Sequence, residues 1–293
     1  MVDDMSARES GLPMILVNGH DSFRFKACCL VSFFILSALG RAHARPIEEV
    51  PALSGAFIQE KLTGTFVMLD PERNTLLVHD AQRAQVRFIP ASTFKIVNSL
   101  IALDCGAVKS VDEILPYGGK PQMIKAWEHD MSMRDAIKIS NVPIYQEVAR
   151  RVGMQRMRTA LEKLEYGTCE TGDTVDTFWL QGPLRISAVE QVDFLKRLTS
   201  GELPLAPGVV DAVRGITLLE TSGSSSLHGK TGWATASSPK VGWFVGWAEQ
   251  NRKIYPFSLN IDMPDEQLAA RRIPLAKECL RILGVSLTDP NAR

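Results

Sequence analysis

The sequence predicts an α/β protein of the α+β type: one antiparallel sheet built from both ends of the chain, packed with a helical lobe. Three observations carry this. Residues 64–68 and 75–79 read as a strand pair around the turn-forming run Asp70-Pro71-Glu72-Arg73-Asn74. Residues 226–232, 241–248 and 253–261 read as three further strands joined by short turns. Between the two groups, apolar residues recur at helical spacing. Strands at both ends with helices between them are most simply joined in one sheet, leaving a cleft against the helical lobe.

The elements follow in order. Pro90-Ala91-Ser92 leads into an apolar helix over 93–103 that opens at or near Ser92. Residues 132–139, 145–152 and 154–164 carry helical periodicity, with Gly167 as the stop after the last. Ser187-Ala188-Val189-Glu190 is a capping-box pattern, in which the Ser side chain and the Glu side chain reciprocally satisfy free backbone N–H groups. It opens a helix to about residue 198, with Gly201 past its end. Residues 209–219 read as helical too. A last helix spans 272–283 and stops at Gly284.

A chain of 293 residues has room for one large domain or two closely packed lobes. Its 33 basic and 33 acidic residues balance, which argues against a nucleic-acid footprint or a polybasic membrane surface. The N-terminus stands apart. Arg24 and Lys26 precede an uncharged apolar run over 27–39, and Ala42-His43-Ala44 follows. This is the pattern of a secretory signal, and the run is short for a bilayer span. Residues 1–44 are therefore expected to be an N-terminal extension with a cleavable signal peptide, Met14 offering an alternative start. Residues 45–293 form the expected functional domain, secreted and without stable membrane association. Cys28 and Cys29 would leave with the signal. Cys105, Cys169 and Cys279 remain, enough for at most one disulfide, and buried free thiols are the simpler expectation. Neither these nor His79, His129 and His228 have metal-ligand spacing, so no metal is expected.

Ser92-Thr93-Phe94-Lys95 carries chemistry. A hydroxyl is a weak nucleophile until a base takes its proton. Three residues apart at a helix start, Ser92 and Lys95 project from one face. The pattern is not specific alone, because Ser237-Ser238-Pro239-Lys240 repeats it in a proline-containing turn. Lys230-Thr231-Gly232 occurs once: Lys230 and Thr231 can hold an anionic group, and Gly232 lets substrate approach the strand closely. Ser140-Asn141-Val142 follows a predicted helix and offers a hydroxyl for proton relay, although Ser187-Ala188-Val189 has the same form.

The order of these three motifs is that of serine β-lactamases and penicillin-binding proteins. From about Gly64 to Gly284 the chain resembles class D, oxacillinase-type β-lactamases. Pro90-Ala91 before the Ser92 motif carries the resemblance further, as do Trp127-Glu128 and Trp179-Leu180. So do Leu184-Arg185-Ile186-Ser187, Trp233 after the Lys-Thr-Gly triplet, and Trp243-Phe244-Val245-Gly246-Trp247. Val142 is informative, since class A enzymes and penicillin-binding proteins typically have Asn there. One departure is Tyr166-Gly167-Thr168, where the family usually has Tyr-Gly-Asn. That puts the shape of a loop beside the cleft, and with it the substrate range, in doubt.

The resemblance implies hydrolysis of the β-lactam amide bond through an acyl-serine intermediate, and β-lactam resistance. Ser92 would be the nucleophile and Lys95 the general base, carboxylated on its amine by carbon dioxide or bicarbonate, with no other cofactor. Trp179 would donate its indole N–H to the carbamate, with Phe94 and Val142 as candidate apolar neighbours of the lysine. Ser140 would pass a proton to the lactam nitrogen. Backbone N–H groups of Ser92 and Trp233 would form the oxyanion hole. Lys230, Thr231, Gly232 and Arg272 would bind substrate, with Arg271 as the alternative to Arg272. The family's usual setting implies the periplasm, and the partner is the small-molecule substrate, met by a monomer or a homodimer. Two alternatives share the motifs: a penicillin-binding transpeptidase or carboxypeptidase, and a non-catalytic β-lactam sensor domain. Val142 and Trp179 favour the hydrolase over the first, and a single cleavable signal favours it over the second.

Overall fold

The computed structural model describes residues 45–287, so the expected signal segment lies outside the described residues. The chain runs β1 (Ile47–Glu49), α1 (Pro51–Glu60), β2 (Gly64–Asp70), β3 (Thr75–His79) and α2 (Ala81–Ala84). A 3-10 turn at Ala91–Phe94 leads without a break into α3 (Lys95–Asp104). The helical middle is α4 (Met133–Lys138), α5 (Val142–Val152), α6 (Met154–Leu164), α7 (Phe178–Gln181), α8 (Ala188–Ser200) and α9 (Pro207–Thr217). β4 (Leu218–Ser222), β5 (Ser225–Ala234), β6 (Val241–Gln250), β7 (Lys253–Asp262) and α10 (Arg272–Ile282) complete it.

The strands form one sheet in the order β1-β3-β2-β7-β6-β5-β4. Its two halves join where β2 pairs antiparallel with β7, Phe66 opposite Leu259. The expected union of both chain ends in one sheet is borne out. The exception to antiparallel pairing is the edge strand β1, which runs parallel to β3 and makes the sheet mixed. Successive side chains on a strand point to opposite faces. On β2, Val67 and Leu69 therefore pack against the helical lobe with Trp243 and Val245, while Phe66 and Met68 pack with Leu53, Phe57, Leu275 and Leu280. So α1 and α10 cover the second face, and the sheet is buried on both sides.

Local chemistry explains several boundaries. The β2–β3 turn closes because Asp70 accepts the N–H groups of Glu72 and Arg73 and Asn74 takes a left-handed backbone. The capping box of α8 is present as expected: Ser187 accepts from Glu190 N–H, and Glu190 accepts from Ser187 N–H. Other boundaries differ from expectation. The helix expected over 209–219 ends at Thr217, and Leu218 and Leu219 open β4, which pairs with β5. Helix α5 starts at Val142, not Tyr145, because Asn141 caps it by accepting from Ile144 N–H. Glu165, not Gly167, ends α6 in a left-handed conformation. Gly167 serves a close approach: a Cβ there would lie 2.2 Å from the Arg185 carbonyl oxygen. Cys105, Cys169 and Cys279 are all free thiols.

Candidate active site

The helix expected to open near Ser92 does so in two steps. Ser92 lies in the 3-10 turn and Lys95 is the first residue of α3. Ala91, just before, has φ 50°, an uncommon left-handed conformation for a residue with a Cβ. Lys95 Nζ donates to Ser92 Oγ at 2.9 Å, so the expected pair is in hydrogen-bond contact. The lysine is 1% exposed. Burial, and secondarily the charge of Lys230, hold its amine well below the usual lysine pKa.

An aromatic wall runs through this part of the core, and one of its rings lies over the amine. Lys95 Nζ lies 5.3 Å from the ring centroid of Tyr145 on α5. Tyr145 is held by a 3.0 Å hydrogen bond between its hydroxyl and that of Ser99, and Ser99 Oγ donates to Lys95 O at 2.8 Å. Phe94 stacks on Trp179 at 5.3 Å, and Phe178 meets both rings edge-on. The indole N–H of Trp179 is fully buried and has no hydrogen-bond partner among the described residues. A buried donor left unpaired costs about 1–3 kcal/mol, so this orphaned N–H is a chemical signal. Sequence reasoning had named Phe94 and Val142 as the apolar neighbours. Phe94 belongs to this wall, but Tyr145 was missed, because it read only as the start of a helical pattern.

Strand β5 forms the other side. A Cβ at Gly232 would meet Pro90 O at 3.0 Å and Thr93 N at 3.2 Å, so the missing side chain lets β5 lie against the turn that carries Ser92. Lys230 is 5% exposed and donates to Thr231 O at 2.9 Å. Burial, with the nearby charge of Arg272, lowers its pKa to about 7. Arg272 Nη1 donates to Gly232 O at 2.6 Å, and its own burial lowers its pKa to about 10. Arg271 points elsewhere, to an ion pair with Glu60. Of the two candidate arginines, Arg272, at the start of α10, is therefore the one bonded to the Lys-Thr-Gly strand. The Trp233 side chain anchors the strand end by donating to Met263 O at 3.0 Å. Thr231 and Trp233 are both partly exposed.

Ser140 sits between α4 and α5 with φ 56°, and its hydroxyl has no hydrogen-bond partner among the described residues. Val142 is the first residue of α5. At the departure from the family pattern, Thr168 keeps the loop tied: its N–H donates to Arg185 O at 2.9 Å and its Oγ1 accepts from Arg185 N–H at 3.1 Å. Among the described residues, no helix is long and apolar enough to cross a membrane.

A nucleophile touching a buried, depressed-pKa amine, beside a cationic strand, is the arrangement of a serine acyl-transfer site. Comparison with known proteins agrees. Residues 64–281 match the penicillin-binding protein transpeptidase domain. β-Lactamase OXA-5 of Pseudomonas aeruginosa is 36% identical over 88% of this chain and 97% of its own. β-Lactamase OXA-48 of Klebsiella pneumoniae is 36% identical over 85% of this chain and 94% of its own. The crystal structure of FUS-1 (OXA-85), a class D β-lactamase from Fusobacterium nucleatum subsp. polymorphum, superposes with a TM-score of 0.79. It is 41% identical and covers 81% of this chain and 99% of that one. With fold, motifs and whole-length relatives in agreement, the chain belongs to the class D serine β-lactamases, hydrolases built on the penicillin-binding-protein transpeptidase fold.

Proposed function

We propose that this protein hydrolyses the β-lactam amide bond of penicillin-type antibiotics, with Ser92 as nucleophile and a carboxylated Lys95 as general base, and so confers β-lactam resistance. The observation that carries the reading is the 2.9 Å contact between Ser92 and a lysine amine shut away from water. A depressed pKa raises the share of neutral amine, and only a neutral amine adds to carbon dioxide, losing one proton as the carbamate forms. The residues present fit that modification. Trp179 offers a buried indole N–H in need of an acceptor, and its stack on Phe94 fixes the direction in which it donates.

The residues then act in sequence. Lys230, Thr231 and Arg272 bind the substrate carboxylate, and Gly232 lets the substrate lie against β5. Ser92 Oγ gives its proton to the Lys95 base and attacks the lactam carbonyl carbon. Backbone N–H groups of Ser92 and Trp233 hold the oxyanion. Ser140 hands a proton to the lactam nitrogen as the C–N bond breaks and takes one back from the protonated Lys95 base, leaving an ester on Ser92 and the base free again. The Lys95 base then takes a proton from water, which attacks the ester, and gives it to Ser92 Oγ as the ring-opened acid leaves. Val142, apolar at the start of α5, helps keep the base dry.

Residues 1–44 are the export signal in this reading, and 45–293 the enzyme, delivered to the periplasm. The test is turnover of a chromogenic β-lactam with and without bicarbonate, beside Lys95→Ala. Multiple turnovers that rise with bicarbonate and vanish in the variant support the mechanism. A single stoichiometric burst would instead indicate a sensor or a penicillin-binding enzyme.

A further inference from the structure

Ser140 is held in an unusual place. The C-terminus of α4 is a Schellman motif: Asn141 N–H donates to Ala136 O at 2.8 Å and Ser140 N–H donates to Ile137 O at 3.2 Å. The left-handed position of that motif usually belongs to glycine, and here it is Ser140, at φ 56°. A side chain in this conformation persists only where its surroundings over-determine it. The hydroxyl of Ser140 makes no hydrogen bond of its own among the described residues. Its direction therefore depends on the backbone around it.

Asn141 fixes that backbone from three sides. It is fully buried. Its Oδ1 accepts from Ile144 N–H at 3.0 Å, which caps α5. Its Nδ2 donates to Trp127 O at 3.2 Å and lies 3.5 Å from Met131 Sδ. The Trp127 indole returns the connection, donating to Ile139 O at 3.1 Å, one residue before Ser140. The segment at Trp127 and the turn at 139–141 are thus clasped by two reciprocal bonds that bracket Ser140. Capping alone would be served by Ser or Asp, whose oxygen accepts the same N–H. The amide does both at once from two separate arms, its oxygen capping the helix and its nitrogen donating to Trp127.

We propose that Asn141 is a positioning residue for Ser140: through its amide bond to Trp127 it holds the Ser140 hydroxyl where the departing lactam nitrogen takes its proton. This rests on the role given to Ser140 above and adds a residue that acts through it. Trp127, from a motif without an assigned role, becomes the second half of the clasp. Because Ser140 serves ring opening, the effect belongs to acylation and not to deacylation.

The test uses Asn141→Ser, which keeps the helix cap and removes the amide arm that reaches Trp127, in wild-type and Ser140→Ala backgrounds. Single-turnover acylation and deacylation rates are measured with a chromogenic β-lactam, together with the melting temperature. We expect acylation about 10- to 100-fold slower in N141S, with deacylation unchanged and no further loss on adding N141S to S140A. Wild-type acylation in N141S would overturn the proposal, as would an equal loss in both steps or in both backgrounds. Should N141S fold poorly, Asn141→Asp repeats the comparison, since a carboxylate caps the helix without a donor. Failure of the catalytic reading itself is separable: the unmutated protein would then not turn over at all.

Discussion

Lys95 Nζ touches Ser92 Oγ across the junction of a 3-10 turn and an α-helix, at 2.9 Å, and the lysine is buried with its amine 5.3 Å from the centre of the Tyr145 ring. Three residues of separation on a continuous helical path bring the two groups to one side. Burial then does to the lysine what it does to any base in low dielectric: it disfavours the charged form.

The pH profile follows from that sign. Below the depressed pKa of Lys95 the amine is protonated, unable to add carbon dioxide, and activity falls; as pH rises the neutral amine returns. Added bicarbonate is expected to raise activity most on the acid limb, where little carbamate survives. Measuring kcat/KM from pH 5 to 9 at two bicarbonate concentrations checks this. A profile unmoved by bicarbonate at every pH would exclude the carbamate as base.

Trp179→Phe keeps an aromatic ring against Phe94 and removes only the indole N–H. The donor has no partner among the described residues, so its loss is expected to leave the carbon dioxide-free protein as stable or about 1–3 kcal/mol more stable. The carbamate loses its donor and becomes more dissociable. At least a tenfold rise in the bicarbonate concentration giving half-maximal activity is expected, with a weaker carbamate signal in 13C NMR. An unchanged bicarbonate dependence would remove Trp179 from the site.

Ser140→Gly sets stability against function. A left-handed residue with a Cβ carries a strain of roughly 1–2 kcal/mol, and glycine adopts φ 56° freely, at some loss of entropy in the folded state. The variant is expected to unfold at equal or higher denaturant concentration than the wild type, by up to about 1 kcal/mol, while acylation drops. Lower stability together with full activity would mean that Ser140 serves the turn and not the chemistry.

The contrast between Ser92 and Asn141 explains what the sequence could and could not disclose. Ser92 with Lys95, and Lys230 with Thr231 and Gly232, are contiguous motifs whose spacing already sets their geometry. The central strands were equally legible because long apolar runs such as 241–248 have few other uses. The three-residue strand β1 is exposed throughout and leaves no pattern. Leu218 and Leu219 extended an apolar helical run on paper, yet the turn between Ser222 and Ser225 folds them against β5. Tyr145 and the Asn141–Trp127 clasp depend on segments far apart in the chain meeting, and no local periodicity encodes that. The left-handed Ser140 was invisible for a different reason: its conformation opposes its local preference and is imposed from outside.

Lys230 provides the last prediction, because its burial makes stability depend on pH in a defined window. Its folded-state pKa is about 7 against a reference of 10.5. Below pH 7 the lysine is charged in both states, and the full penalty of a buried charge beside Arg272 weighs on the folded form. Between pH 7 and 10.5 the folded state has released a proton that the unfolded chain still holds, so the penalty shrinks as pH rises. Lys230→Met removes the charge and keeps most of the volume. The variant is expected to be more stable than wild type by a few kcal/mol at pH 6–7, with the gap closing toward pH 10. Urea unfolding of both proteins across that range measures it. The same variant should bind carboxylate-bearing substrates poorly, raising KM more than it lowers kcat, because an anion docking beside Lys230 draws a proton back onto the amine. A stability gap that does not change with pH would mean that Lys230 reaches water in the folded protein and that its charge is not the reserve the substrate carboxylate uses.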